Sequence, residues 1–434
     1  MTKRGFLSMA WRNLWRNRRR SLATIASIAF GLTAVAVFAG YKRATYTGLA
    51  NIAIHSELVG HLTINKAGWS TEGKLHPARY LFSETEIAQL REIVAEVAPG
   101  ARVVERMSVM GLISNGRNST IFVASCVNPA DMLLLRGPFR GIPGVLQENN
   151  HRGVVLSSGL ADILGLKVGD GASILVNTIH GQANMADIDV EATVDTGNLA
   201  TNDKWMTMPL ELAQDQLDAV GKAEALTVLL PAAVNAPTPE GRAAEEAIYT
   251  TPTPDDAFMN SLRATLSDAL ARAGLKTEMI TWQEQSPFYR QVRNMFDMMF
   301  GLLLGVVLAI VVLSIANSMG MAVVERTREI GTLRAIGVRR ASVVRLFVTE
   351  AVLLVVVGLL VGAVLTFLVR AGVNALDVRY VPPSLSRDVQ LYVGFDLLLT
   401  IVAAFALAVL ATLAATVPAR RATHAPIISS LGHV

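Results

Sequence analysis
Four uninterrupted apolar runs, at 22–41, 298–319, 347–369 and 395–417, interrupt an otherwise polar chain. Each is close to the ~20 residues a helix needs to cross the hydrocarbon core of a bilayer. The pattern predicts membrane-spanning helices at 22–42, 295–319, 346–370 and 394–417. Residues 43–294 lie between the first two and are mostly polar, which is room for a folded domain of ordinary size.

Periodicity inside that region changes from helix-like to strand-like and back. GHLTINKAG at 60–68 alternates as a strand. SETEIAQLREIVAEVA reads as a helix capped by Ser83 with Glu86 three residues on, and 101–127 alternates as one or two strands. The order recurs in EALTVLLP at 224–231, a helix over 255–273, and LKTEMIT at 275–281. Two such strand–helix–strand flanks, at 43–129 and 220–294, predict a split ferredoxin-like α+β sandwich, the porter halves of one subdomain. A turn-rich, strand-like middle at 130–219, centred on GVVLSSGLADILGLKVGDGASILV, predicts an inserted β-rich subdomain. The Ala-, Pro- and Thr-rich stretch 232–254 reads as an exposed excursion.

Composition agrees with the membrane reading, because 52% of residues are hydrophobic and only 17% charged. Orientation follows from the arginines, since short Lys- and Arg-rich loops stay cytoplasmic. Lys3, Arg4, Arg12, Arg16, Arg18, Arg19 and Arg20 crowd the N-terminus. Arg326, Arg328, Arg334, Arg339, Arg340 and Arg345 crowd the 320–345 loop, and Arg420 and Arg421 the 418–434 tail. The short 371–393 loop has fewer. Both termini and the 320–345 loop are therefore expected inside and the large domain outside. Leu7, Trp11, Leu14 and Trp15 recur at helical spacing among the first arginines, predicting an amphipathic cytoplasmic helix over 1–21. A cleavable signal peptide is the competing reading of the first span, but the apolar run is longer than a signal core and its removal leaves an odd number of spans.

Groups that would mark an enzyme are not arranged as one. The seven histidines show no HxxxH or HExxH spacing, and Ser157 and Ser158 lack the glycine of a GxSxG elbow. Asp187, Asp189 and Glu191 alternate on one strand face without the glycine turn of a calcium loop, which favours a solvated face. Gly221-Lys222 lacks the rest of a phosphate loop, so any ATP used would be bound by another chain. No basic-aromatic nucleic-acid module occurs. Cys126 is the sole cysteine and reads as a small buried residue in a strand.

The 320–345 loop is the most informative stretch. ERTREIGTLRAIGVRR predicts two short helices joined at Gly337, too small to build a core, yet Ile330, Leu333, Ile336 and Val338 call for a partner surface. The mixed charges of Glu325, Arg326, Arg328, Glu329, Arg334, Arg339 and Arg340 suit a protein contact better than an anionic lipid surface.

The run MAVVERTREIGTLRAIGVRRASVVRLFVTEAVLL, from Met321 to Leu354, resembles the permease family that includes the macrolide exporter MacB, the lipoprotein-releasing LolC and LolE subunits and the cell-division protein FtsX (type VII ABC superfamily). RNLWRNRRR, GHLTINKAG, GLADILGLKVGD and VPARRATHAPIISSL are similar too, most of all to the Lol-like branch. The resemblance implies a permease dimer, with a second copy or a paralogous subunit, in the bacterial inner membrane. It implies a cytoplasmic ABC ATPase dimer, carrying ATP and Mg2+, docked on Glu325, Arg326, Arg328, Glu329, Ile330, Gly331, Leu333, Arg334, Ala335, Ile336, Gly337, Val338, Arg339 and Arg340. No cofactor is expected on this chain itself. Extraction of a lipoprotein or other lipid-like cargo, with a periplasmic carrier or adaptor, is the implied function. A mechanotransmitting scaffold for a periplasmic partner and a drug or peptide efflux permease are the rivals.

Within the spans, Asp297 and Glu350 read as snorkelling or ion-paired residues. Gly301 with Gly305, and Gly358 with Gly362, have GxxxG spacing that permits close helix contact. Phe30, Val37, Met299 and Phe300 are the candidates for a lipid-binding cavity between the first and second spans. PFYRQVRNMFDMM would extend the second span outward as a lever.

Overall fold
The structure, a computed structural model, describes residues 18–73, 75–140, 144–197, 199–234, 242–381 and 388–424. Leu7, Trp11, Leu14 and Trp15 of the expected N-terminal helix lie outside the described residues, as do parts of the 232–254 excursion, the 371–393 loop and the tail. Helices of nine or more residues are α1 (Arg18–Asn51), α2 (Glu84–Val97), α3 (Arg242–Thr250), α4 (Asp256–Arg272), α5 (Pro287–Glu325), α6 (Thr327–Ala335), α7 (Arg340–Leu376) and α8 (Leu397–His424). The longer strands are β1 (Leu62–Lys66), β2 (Arg102–Ser114), β3 (Ser119–Val127), β4 (Gly153–Ser157), β5 (Gly171–Asn177), β6 (Ala183–Val194), β7 (Trp205–Pro209), β8 (Ala225–Leu229) and β9 (Thr277–Thr281). The chain divides into two compact units: Met1–Ala44, Arg293–Val378 and Leu391–Val434 form one, and Thr45–Val292 with Arg379–Gln390 the other.

The first unit is helical, and four helical stretches, Arg18–Ser56, Pro287–Glu325, Arg340–Leu376 and Leu397–Arg421, are long and apolar enough to cross a membrane. They outrun the spans expected from hydropathy: α5 has 39 residues, roughly 58 Å of helix against a hydrocarbon core of about 30 Å. The apolar run marks only the length suited to a hydrocarbon core, and helix continues through polar residues where nothing breaks it. Pro287 opens α5, where its missing N–H is harmless. α8 passes through Pro418 to His424, into the expected tail.

Ile28, Leu32, Val35, Val311, Ile315, Leu354, Val355, Leu407 and Ala411 make the core of this unit. α1 crosses α7 at the second glycine pair. A Cβ on Gly358 would sit 2.8 Å from Ile28 Cβ, and one on Gly362 2.9 Å from the Ala29 carbonyl oxygen. Thr33 Oγ1 donates to the Gly362 carbonyl at 3.1 Å. Gly301 and Gly305 differ, since among the described residues nothing outside their own helical turn lies within 4 Å of a Cβ at either. The spacing is the same, but among the described residues only the second pair packs closely on another helix. α1 and α5 are also tied by ion pairs, Arg20 to Glu325 and Lys42 to Asp297, both at 2.9 Å.

The second unit carries a nine-stranded sheet of order β3-β7-β4-β6-β5-β2-β8-β1-β9. β1 is antiparallel to both neighbours, with Ile64 opposite Leu226 of β8 and Met279 of β9. α2 and α4 cover this end: Ile87, Leu90, Val94, Met259, Leu262, Leu266 and Leu270 pack on Leu62, Ile64, Leu226 and Val228. The N-terminus of α2 is held by the expected box, with Ser83 accepting from the Glu86 amide and Glu86 accepting from the Ser83 amide. α4 starts at its Asp255 cap.

β2 is long enough to serve both ends of the sheet. Its first half pairs with β8 and its second with β3 and β5. The expected cut at 129/130 assigns β3 to the first flank, yet β3 runs parallel to β7, with Cys126 opposite Met208. The 130–219 segment therefore extends a common sheet. Val109, Ile113, Phe122, Cys126, Leu156, Ile174, Val190 and Met206 form its core. Cys126 is fully buried, and burial, with Glu224 nearby, pushes its thiol well above the usual range.

Candidate functional site
The end of α5, α6 and the start of α7 hold the residues that sequence singled out. Arg326 interrupts the helical path between α5 and α6 with φ −110° and ψ 17°. α6 ends at Ala335 with Ile336 as its cap, and Gly337 follows at φ +92°, a conformation that favours glycine. There the Gly337 amide bonds the Arg334 carbonyl at 3.1 Å and the Val338 amide bonds the Leu333 carbonyl at 3.0 Å. Arg339 is the extended residue that starts α7. The expected pair of helices joined at Gly337 is thus present, although the second is the beginning of a membrane-length helix.

The side chains divide sharply. Ile330 is buried against Ala322, Val343, Phe347 and Ala419 of the chain's own long helices, with Val338 beside it. This corrects the expectation that all four apolar residues await an external surface: Ile330 already has its pocket, worth about 1.5–3 kcal/mol of apolar burial. Gly331 is buried, and Leu333, Arg334 and Val338 are half-buried. Ile336 remains 73% exposed. Glu325, Arg328, Glu329, Ala335, Arg339 and Arg340 are exposed, and Glu325 meets Arg20.

Arg326 is the larger correction. Expected on the contact surface, it is only 4% exposed, and its Nη1 donates to Oε2 of Glu350 at 3.0 Å, with Glu350 itself 2% exposed. Glu350 is therefore ion-paired inside the helices and does not snorkel to the interface. Asp297, by contrast, meets Lys42 near the surface. The sequence carries a signal for the Arg326 site: Val343, Phe347, Glu350 and Leu354 recur along one helical face, so Glu350 shares the stripe that receives Ile330.

The four cavity candidates do not share one environment. Phe300 is buried, stacked 5.9 Å from Phe38, with Lys42 Nζ 4.6 Å from its ring centroid. Val37 is half-buried, whereas Phe30 and Met299 are exposed. In the second unit, Asp187 accepts from Ser173 Oγ at 2.8 Å and lies 3.4 Å from Arg152. Among the described residues no group of three or more His, Cys, Asp or Glu is placed to hold a metal ion. A feature missed in sequence is a row of exposed apolar residues across four strands, Ile121–Leu112–Leu175–Met185.

The 320–345 segment and the helices around it also decide what the chain resembles. Residues 301–427 match the FtsX-like permease C-terminal family. The match takes in most of α5 and all of α6, α7 and α8. Sixty-six residues are 44% identical to the pyoverdine export ATP-binding/permease protein PvdT of Pseudomonas entomophila (strain L48), covering 15% of this chain and 10% of that protein. The macrolide export ATP-binding/permease protein MacB of Escherichia coli is 39% identical over 64 residues, again 15% of this chain and 10% of that protein. The matched segments thus span about a tenth of these relatives. The extracellular domain of the noncanonic ABC-type transporter YknZ from Gram-positive bacteria is similar over 51% of this chain and 100% of its own, at 12% identity and TM-score 0.31, a likeness too distant to carry weight. The Lol-like branch expected from sequence is not distinguished by any of these.

Proposed function
We propose that this chain is a permease subunit of an ABC transporter and that α6, with the residues beside it, is where a cytoplasmic ATPase docks. Ile336 carries the reading. It stays 73% exposed while Ile330, six residues earlier in the same segment, is anchored in the chain's own helices. Arg328, Glu329 and Arg339 are exposed around it in sequence. An apolar knob among charges of both signs has the make-up of a protein contact, and anchoring at Ile330 gives such a contact something rigid to push.

In this reading ATP and Mg2+ are held by a partner ATPase dimer, and the chain performs no chemistry itself. Both termini and α6 face the cytoplasm of a bacterium and the 43–294 domain lies outside the inner membrane. A second permease copy or a paralogous subunit completes the assembly. The order β2-β8-β1-β9 with α2 and α4 is read as a ferredoxin-like porter subdomain that shares its sheet with the inserted strands. ATP-driven closure of the partner displaces α6 and, through it, the long helices, as a two-state rigid-body change. The cargo is a lipoprotein or another lipid-like molecule drawn from the membrane, consistent with the exposed apolar side chains of Phe30, Met298 and Leu302 on α1 and α5. Efflux through an adaptor and an outer-membrane channel is the second reading, favoured by relatives named for pyoverdine and macrolide export.

Affinity purification of the full chain from native membranes tests the docking. An ATPase polypeptide should co-purify, and the double substitution Glu329→Lys, Ile336→Asp should cut its recovery about tenfold, the equivalent of one lost interface contact of about 1.4 kcal/mol. Unchanged recovery with normal membrane insertion would sink the reading. Mass spectrometry of the co-purified small molecules and proteins separates a lipidated cargo from a soluble efflux substrate.

A further inference from the structure
The Arg326–Glu350 pair is the one feature of the coupling segment that the docking reading leaves without a task. Both side chains are sealed from solvent, 4% and 2% exposed, and Phe347, which packs on Ile330, lies one turn before Glu350 on α7. A guanidinium offers five N–H donors in a planar fork that matches a carboxylate at two points. Here the match is made at one point only, Nη1 to Oε2 at 3.0 Å. Nε and Nη2 of Arg326 are buried with no hydrogen-bond partner among the described residues.

A buried ion pair held at a single point, with two donors left over, is a poor way simply to glue two helices. Well-packed apolar residues of the same volume usually do that at least as well. The spare donors instead define a second arrangement, in which the fork closes more fully on acceptors that a small displacement of the segment brings within reach. Ile330 sits in a pocket of aliphatic and aromatic side chains, which tolerates such a displacement better than a hydrogen bond does.

We infer that Arg326 and Glu350 are positioning residues that act as a two-position latch between the coupling segment and α7. One position is the single-point contact seen here. The other is reached when the segment shifts on the helix bundle by an amount typical of helix shifts, about 1–2 Å. The latch gives α6 two defined seats, so that force applied to it is passed to α7 as a discrete step. This inference rests on the proposed docking of an ATPase for its purpose, although its existence can be read without one.

The experiment uses the full chain in detergent with Leu333→Cys carrying a trifluoromethyl tag. Leu333 is half-buried, so the tag senses its packing, and the native Cys126 is fully buried and protected from labelling. Two fluorine resonances are expected with Arg326 and Glu350 in place, the minor one about a tenth of the signal. The paired substitution Arg326→Met, Glu350→Leu keeps the volume and the docking of α6 but removes the polar latch. It should leave one resonance, whereas the swap Arg326→Glu, Glu350→Arg should restore two. With the co-purifying ATPase present, the apolar pair should lower chain-stimulated ATP turnover at least about tenfold and the swap should recover most of it.

One resonance with the native pair that does not broaden on cooling overturns the latch, as do two that survive the apolar substitution. Two resonances governed by the pair, in a chain with which no ATPase co-purifies, leave the latch standing and remove the docking reading. Normal coupling in the apolar variant has the opposite meaning: the docking stands and the pair is packing alone.

Discussion
Arg326 shows how far a single residue's role depends on its surroundings. Among the arginines of ERTREIGTLRAIGVRR nothing in composition sets it apart, and only the structure sends it inward to Glu350. Removing one partner leaves the other charged, buried and unpaired, so Glu350→Ala should cost roughly 3–5 kcal/mol, while Arg328→Ala on the exposed side should change stability by less than about 0.5 kcal/mol. Thermal unfolding of the purified full chain in detergent compares the two directly. His61 supplies a second residue-level test. It is buried just before β1, its Nδ1 accepts from the Leu230 amide at 3.3 Å, and burial, with His55 beside it, pulls its pKa down to about 3. The folded state therefore holds His61 neutral where the unfolded chain, at about 6.5, takes up a proton. Its contribution is fully present above pH 6.5 and is lost at up to about 1.4 kcal/mol per pH unit as pH falls from there toward 3. Subtracting the stability curve of His61→Asn from that of the native protein should isolate this slope, and a difference that stays flat between pH 6.5 and 4 refutes the assignment.

Glycine spacing at the level of helices was legible, but its use was not. Gly301/Gly305 and Gly358/Gly362 look alike in sequence, because GxxxG states that a face is flat and not which neighbour the face meets. Ile28, Ala29 and Leu32 of α1 decide the matter for the second pair. Gly358→Val should overpack that crossing and destabilise the chain by about 1–3 kcal/mol, while Gly301→Ala, with open space around it, should melt within about 0.5 kcal/mol of the native protein. Equal melting of the two variants contradicts the crossing. Strands and capped helices were readable for a similar reason: Ser83 with Glu86, and alternation in 60–68, are local signals. The placement of β3 was not, since its parallel partner β7 lies some eighty residues on and no local pattern names it. β2 hid a second fact in plain view. Met110 and Leu112 lie exposed on one face of the strand, Leu112 in the row with Ile121, Leu175 and Met185 and Met110 two residues before it.

For the whole molecule, the functional reading depends on which side of the membrane α6 occupies. The arginines argue for the cytoplasm, because positively charged short loops resist translocation while a domain as long as 43–294 is exempt from that count. A cysteine scan makes the argument testable, since the native Cys126 is buried and should react with no impermeant thiol reagent while the protein is folded. Ile336→Cys and Val220→Cys replace residues that are 73% and 71% exposed, so accessibility to reagent reports the side of the membrane and not burial. In intact cells with a permeable outer membrane, Val220→Cys should label and Ile336→Cys should not. Both should label once the inner membrane is opened and any bound ATPase is washed from it. Labelling of Ile336→Cys in intact cells would put α6 beyond the reach of any cytoplasmic ATPase. The Arg326–Glu350 pair would then be one more buried ion pair, with no applied force to divide between two seats.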